Sequence, residues 1–121
     1  MAAHITYTAL DDEAPATLSK KVIRQIIRKE IGFDGFLMSD DVSMKALSGD
    51  FASRTGAILR AGCDVVLHCN GDMAEMTAVA AEISPLKGKA LKRAKRALRW
   101  LDRGKDADES ALRKEFAALF N

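Results

Sequence analysis

The sequence predicts an α/β fold in which parallel strands alternate with helices. Three short segments have strand character, at residues 3–8, 35–39 and 64–69, and each is followed by a helical pattern. This order is typical of parallel sheets with right-handed crossovers. The length of 121 residues, with 48% hydrophobic and 30% charged residues, fits one globular domain. Three strands are nevertheless few, because a complete eight-stranded barrel needs ~250 residues.

The first strand–helix unit occupies residues 3–31. Residues 3–8 are rich in β-branched and aromatic side chains and lead into an acidic stretch that contains Pro15. Ser19 is placed to cap the helix that follows, and Gly32 is placed to end it. Apolar side chains recur between them at helical spacing: Val22, Ile23, Ile26, Ile27 and Ile31.

The second and third units occupy residues 35–83. The strand at residues 35–39 leads into two adjacent aspartates and then a short turn or helix as far as residue 47. A helix is predicted over residues 51–61, closed by Gly62. Residues 64–69 form a nearly continuous apolar run, as expected of a parallel strand buried on both faces. Residues 73–83 are predicted to form a further helix.

The adjacent acids Asp40 and Asp41 are the main candidates for chemistry, because catalytic groups of parallel barrels lie where strands end. Side-chain alternation places them on opposite faces, so only one can point into a given site. Three roles are open: a nucleophile in glycosyl transfer, a ligand for a hard cation, or a cap, with Asp41 placed to cap residues 42–47. His4 and His68 are candidate acids near strand ends, but no pattern marks either as catalytic.

The two cysteines, Cys63 and Cys69, are expected to be free thiols. His68 beside Cys69 suggests a metal pair, but adjacent strand residues point to opposite faces and cannot easily share an ion. The sequence therefore predicts neither a metal nor a cofactor.

Beyond Pro85 the sequence predicts two helices, the first strongly basic although the net charge is only +2. The basic face suits nucleic acid or a membrane surface, but a solvated outer face with an apolar stripe packed on the body is the preferred interpretation. Neither nucleic acid nor membrane is expected as a partner. The basic residues are Lys87, Lys89, Lys92, Arg93, Lys95, Arg96, Arg99 and Arg103; the stripe is Leu91, Ala94, Leu98 and Leu101.

The last helix, at residues 109–120, carries Leu112, Phe116 and Leu119 on one side. Residues 1–84 are expected to form a partial (β/α) barrel, and residues 85–121 a helical segment that packs on it. No run of ~18 apolar residues and no basic start followed by an apolar core occurs, so a cytoplasmic location is expected.

Two blocks of the sequence resemble family 3 glycoside hydrolases: GFDGFLMSDDVSM at residues 32–44 and AGCDVVLHCNG at residues 61–71. Residues 3–7 look like the sixth barrel strand of the family. The resemblance implies the C-terminal portion of a (β/α)8 TIM barrel, about strands 6–8 with their helices, followed by C-terminal helices. Val42 stands where the family pattern has leucine, which is a mild departure.

The resemblance also implies the activity of a retaining β-N-acetylhexosaminidase of peptidoglycan recycling, which removes terminal N-acetylglucosamine from muropeptides. The first aspartate of the Ser-Asp-Asp motif is the nucleophile of the family, and it maps to Asp40. Asp41 then has a capping or supporting role.

Several motifs of the family have no counterpart in these residues: the acid/base histidine with its aspartate, a Lys-His pair and an arginine that hold the sugar. The chain is therefore expected to be a fragment that is inactive alone and that self-associates through exposed strand edges. Two alternatives remain open: a small protein that binds nucleic acid through its basic helix, and one half of a split glycosidase.

Overall fold

A computed structural model describes residues 1–101, 104 and 107–120. It contains a π-helix (Lys21–Glu30), strands β1 (Met38–Asp41) and β2 (Val65–Leu67), and four α-helices. The α-helices are α1 (Phe51–Ala61), α2 (Met73–Ala81), α3 (Gly88–Leu98) and α4 (Glu109–Ala118). β1 and β2 pair in parallel, and α1 lies between them in the chain. The predicted α/β class is thus confirmed.

The predicted strand at residues 3–8 is wrong. Only Ala2 joins the sheet, as an isolated parallel bridge to Ser39. Its amide donates to the carbonyl oxygen of Met38 at 2.9 Å, and its own carbonyl accepts from the amide of Asp40 at 2.9 Å. The chain then leaves the sheet and turns at Tyr7. β-propensity did not decide this segment, because strand formation depends on pairing and packing with neighbours.

The helix predicted after Ser19 forms as a π-helix, in which the Ile31 amide donates to Ile26 at 2.8 Å. The Ser19 hydroxyl accepts the Val22 amide at 3.0 Å near its start, and Gly32 follows its end with a φ of +73°. Apolar spacing predicts a helix here, but it does not distinguish wide turns from α-helical ones.

Helix α1 has the predicted bounds because both of its ends carry strong local signals. The Asp50 side chain accepts the Ser53 amide at 2.7 Å, and Gly62 ends the helix with a φ of +126°. Helix α2 begins after Asp72, whose side chain accepts two backbone amides, and ends two residues earlier than predicted. Residues 42–47 form turns and not a helix.

The core lies between the sheet, the π-helix, α1 and α2. Its buried members include Ile23, Leu37, Val42, Leu47, Ile58, Ala61 and Val79. The prediction that the third strand is buried on both faces is wrong, since all three residues of β2 are only partly buried. Because successive side chains point to opposite faces, β2 is partly exposed on both faces within the described part of the chain.

Helix α3 contacts the rest of the protein through arginines. Arg93 pairs with Asp34 at 2.8 Å and with Asp64 at 3.1 Å, and Arg96 pairs with Asp34 at 3.2 Å. The prediction that Leu98 and Leu101 pack on the body is wrong, because their exposed fractions are 61% and 76%. The stripe residues Leu91 and Ala94 are partly buried. Arg103 lies outside the described residues.

Candidate active site

Asp40 and Asp41 lie at the carboxyl end of β1, where β2 also ends. Asp41 is the last residue of β1 and is paired with Leu67, the last residue of β2. The Asp40 side chain is partly buried, and its Oδ1 accepts the Asp41 amide at 2.9 Å. No hydrogen bond from another described residue reaches Oδ2 of Asp40. One carboxylate oxygen is thus held by the backbone while the other is available.

The strand that carries Asp40 alternates in burial and contains an irregularity. Leu37 and Ser39 are 2% and 0% exposed, whereas Met38 and Asp40 are partly buried. The register shifts between Met38 and Asp41, as at a β-bulge. The Ser39 hydroxyl donates to the Asp40 carbonyl at 2.7 Å and accepts the Leu67 amide at 3.0 Å. The Ser39 side chain therefore connects the two strands at the bulge. β-Bulges often occur beside active sites.

The Asp41 carboxylate is bound by protein donors. Oδ2 accepts the Ser43 hydroxyl at 2.6 Å, and Oδ1 accepts the Ser43 amide at 3.0 Å and the Cys69 amide at 3.2 Å. Desolvation raises the pKa of Asp41, but the hydrogen bonds from Ser43 and Cys69 and the charge of His68 outweigh it, so the pKa is lowered overall. Asp41 caps the turn that follows β1, where the sequence predicted a turn or a helix, and it links this turn to the loop after β2.

His4 lies beside the same strand end. Its Nε2 is 2.9 Å from the Asp41 carbonyl oxygen, and its Nδ1 is 3.0 Å from the Thr17 hydroxyl. The Thr17 side chain is fully buried. The structure thus brings His4 to the backbone of the acidic pair, although 37 residues separate it from Asp41.

His68 is held on the other side of this region by Glu75. Its Nε2 is 2.9 Å from Oε2 of Glu75, and its side chain is 8% exposed. Asn70 donates to the same carboxylate oxygen, and the Phe51 ring meets the imidazole edge-on at 5.8 Å. A protonated His68 lowers the pKa of Asp41 electrostatically, but no hydrogen bond joins it to either aspartate.

Cys63 and Cys69 are free thiols in the structure, as predicted. Cys63 is buried, and desolvation, together with the neighbouring Asp64 charge, raises its pKa to about 11. Cys69 is exposed. In the described ranges no three side chains of His, Cys, Asp or Glu come together in a way that could hold a metal ion.

The basic face of α3 is partly used within the molecule. Hydrogen bonds from Arg93 and Arg96 lower the pKa of Asp34. Desolvation lowers the pKa of Arg93, but its bonds to Asp34 and Asp64 raise it by more. Two of the cations that a nucleic acid would need are therefore engaged by carboxylates.

The sequence assigned no role to three residues near the site: Ser39, although it belongs to the Ser-Asp-Asp motif, Thr17 and Glu75. Ser39 contacts Leu67, Thr17 contacts His4 and Glu75 contacts His68, over separations of 28, 13 and 7 residues. No local sequence pattern predicts contacts over such separations. Ser43 carries a weak signal, because aspartate followed two residues later by serine is typical of an Asx turn.

Known proteins place this chain in an enzyme family. Residues 1–99 match the model of the glycosyl hydrolase family 3 N terminal domain. A beta-hexosaminidase of Tolumonas auensis is 43% identical over 72 residues, which cover 58% of this chain and 21% of that protein. The chain spans about a fifth of the length of such relatives.

Two solved structures have a similar fold. CbsA from Thermotoga neapolitana superposes with a TM-score of 0.64 at 30% identity, over 95% of this chain and 28% of that one. The beta-N-acetylglucosaminidase from Thermotoga maritima gives 0.61 at 27% identity, over 80% and 24%. None of the helices in the described ranges is long and apolar enough to cross a membrane. The match over residues 1–99 shows that the chain belongs to glycosyl hydrolase family 3.

Proposed function

We propose that this chain is the nucleophile-bearing segment of a retaining β-N-acetylhexosaminidase. The observation that carries the proposal is the Asp40 carboxylate, which lies at the carboxyl end of a parallel strand with Oδ1 held by a backbone amide. Relatives named beta-hexosaminidase and beta-N-acetylglucosaminidase support a saccharide that contains N-acetylglucosamine as the substrate.

In the proposed reaction, Oδ2 of Asp40 attacks the anomeric carbon of the terminal sugar. The bond from this carbon to the leaving oxygen breaks as the bond to Asp40 forms, and an acid protonates the leaving oxygen. Water then attacks the same carbon, gives up a proton to the conjugate base and releases the sugar from Asp40 with net retention. Asp41 does not attack, because Ser43 and Cys69 already occupy its carboxylate.

The acid/base and the groups that hold the sugar belong, in this proposal, to segments that these residues do not include. The chain alone is then inactive, since acid–base assistance contributes about 10²–10⁴-fold and positioning contributes more. In this proposal residues 1–84 supply about the sixth to eighth strand–helix units of the barrel, the first of them through the single bridge of Ala2 to Ser39, and residues 85–121 are the helices that close it. We assign the complete enzyme to cytoplasmic peptidoglycan recycling because residues 32–44 resemble the family 3 glycoside hydrolases of that process.

The test is a chimera in which residues 1–99 replace the matching segment of the Tolumonas auensis beta-hexosaminidase. We expect the chimera to hydrolyse an aryl N-acetylglucosaminide, whereas the isolated chain does not. The Asp40→Asn substitution should lower kcat of the chimera by on the order of 10⁴-fold. Turnover by the isolated chain, abolished by the same substitution, would show that the missing groups are not needed.

The matched control is Asp12→Asn, which removes one exposed carboxylate at a distance in sequence from the strand end. It should leave kcat of the chimera unchanged. Equal losses from Asp12→Asn and Asp40→Asn would mean that the chimera responds to charge and not to a nucleophile.

The isolated chain is also proposed to self-associate. Within the described residues the sheet has two strands, and large apolar side chains such as Ile5, Phe33 and Met76 are 53%, 41% and 42% exposed. Unpaired strand edges and apolar surface of this kind promote association. Light scattering should therefore give a mass above 13.2 kDa. A monodisperse monomer with a sharp thermal transition would overturn this proposal.

A further inference from the structure

We propose that His4 and Thr17 are positioning residues that fix the geometry of the Asp40 carboxylate through the backbone of Asp41. This inference rests on the proposed nucleophilic role of Asp40. The path is short: His4 Nε2 contacts the Asp41 carbonyl at 2.9 Å, and the Asp41 amide donates to Oδ1 of Asp40 at 2.9 Å. Asp41 thus contacts His4 through its carbonyl and Asp40 through its amide, so an oriented His4 restricts the position of the Asp40 carboxylate.

The Asp41 carbonyl determines which imidazole nitrogen of His4 carries a proton. A carbonyl oxygen only accepts hydrogen bonds, so Nε2 must be protonated to make this contact. Nδ1 then faces the Thr17 hydroxyl, whose single proton goes either to Nδ1 or to the Ala2 or Ala3 carbonyl oxygen; in the second case the hydroxyl accepts from Nδ1–H. Nε2–H therefore points at Asp41 in both cases.

Thr17 is fixed so that it can hold His4. Its side chain is 0% exposed, and its hydroxyl lies 2.7 Å from the Ala3 carbonyl and 3.0 Å from the Ala2 carbonyl. Its own amide donates to the Ala3 carbonyl at 3.2 Å. The imidazole is thus oriented by a buried group in the loop that precedes the π-helix.

The N-terminal segment holds both sides of the acidic pair. Ala2 accepts the amide of Asp40 at 2.9 Å, and His4, two residues later, binds the carbonyl of Asp41. The peptide between Asp40 and Asp41 is therefore bracketed by contacts from residues 2 and 4. A nucleophile must be placed within a fraction of an ångström, because a 1 Å error can cost about 10²-fold in rate.

The first experiment reads this geometry by NMR on the 121-residue chain and does not need activity. Nitrogen-15 spectra should show His4 protonated at Nε2. His4→Gln, whose terminal amide can still donate to Asp41, should leave the Asp40 and Asp41 amide resonances near their original positions. His4→Leu should shift both resonances. An Nδ1-protonated neutral His4, or equal shifts in the Gln and Leu variants, would overturn the inference.

Thr17 provides an independent pair of variants in case His4→Leu does not fold. Thr17→Ser keeps the hydroxyl, whereas Thr17→Val removes it at nearly constant volume. Only Thr17→Val should change the His4 ring resonances and the Asp41 amide. Unchanged His4 resonances in Thr17→Val would contradict the assigned role of the hydroxyl.

The second experiment measures kinetics in the chimera with the Tolumonas auensis protein. His4→Leu should lower kcat by about 10–100-fold with little change in KM, and His4→Gln should restore most of it. If Leu and Gln give the same kcat, the positioning role fails while the nucleophile stands. If Asp40→Asn retains activity, the proposed function fails, whereas the NMR result still reports on the contacts of His4.

Discussion

The carboxyl end of the sheet and the C-terminal helices are held in different ways. Around Asp40 and Asp41, backbone groups and buried side chains form a continuous set of hydrogen bonds above an apolar core. Helix α3 contacts the body through two arginines, and no residue of α4 is buried. Stability is therefore concentrated at the strand ends, where the candidate site lies, and this region should unfold last.

The largest effect should come from the carboxylate that joins the two regions, Asp64. It accepts Arg28 at 2.7 Å, Arg93 at 3.1 Å and the Leu37 amide at 2.8 Å, and its side chain is 5% exposed. Asp64→Ala leaves these donors without their acceptor and should cost about 3–5 kcal/mol of unfolding free energy in urea titrations.

Asp34 is the control for Asp64, because it binds the same Arg93 from an exposed position. Asp34→Ala should change the urea midpoint little, since exposed ion pairs contribute little. A loss as large as that of Asp64→Ala would show that the docking of α3, and not the buried carboxylate, carries the stability.

A second pair of variants compares equal truncations in the two regions. Leu47 is 4% exposed in the core beside the site, whereas Leu112 in α4 is 53% exposed. Leu47→Ala should cost about 2–5 kcal/mol, while Leu112→Ala should stay within about 0.5 kcal/mol. Comparable losses in urea titrations would mean that α4 is packed against other surface in solution.

The helix caps give a smaller contrast. Asp50 accepts the Ser53 amide at 2.7 Å at the start of α1, and Asp108 accepts the Ala111 amide at 3.1 Å at the start of α4. Asp50→Ala should lower the melting temperature by about 4 °C. Asp108→Ala should reduce helicity at 222 nm without moving the main transition. A shift of that transition by Asp108→Ala would show that α4 unfolds together with the core.

The smallest effect is a pH dependence that arises from Asp41. Its pKa is lowered in the folded state, so its contribution to stability is present above the unfolded pKa of about 4 and is lost as the pH falls through the folded value. When the pH is lowered below about 4, the free energy of unfolding of the Asp41→Asn variant should therefore fall less than that of the wild type. Parallel curves for the two proteins would contradict the hydrogen-bonding role of Asp41.

The sequence predicted those elements whose ends carry local signals. Asp50 and Gly62 define α1 at both ends, and the adjacent acids do lie at the end of a parallel strand. It failed at residues 3–8, where β-branched composition suggested a strand but only Ala2 has a pairing partner. Partners in a sheet are distant in sequence, so composition alone does not supply them.

The surroundings of the candidate site were less predictable than the acids themselves. His4 was visible as a histidine near a strand end, but its contact with Asp41 spans 37 residues and depends on how the chain turns back at Thr17. The sequence could not predict that Leu98 is exposed either, because helical spacing identifies an apolar stripe without showing what covers it.

Covalent trapping tests the central claim most directly. The chimera is treated with a 5-fluoro glycosyl fluoride of N-acetylglucosamine, which slows hydrolysis of the glycosyl-enzyme, and the digested protein is analysed by tandem mass spectrometry. The proposal predicts one added sugar on Asp40 and none in Asp40→Asn. A sugar on Asp41 or on another residue, or turnover without any adduct, would contradict it.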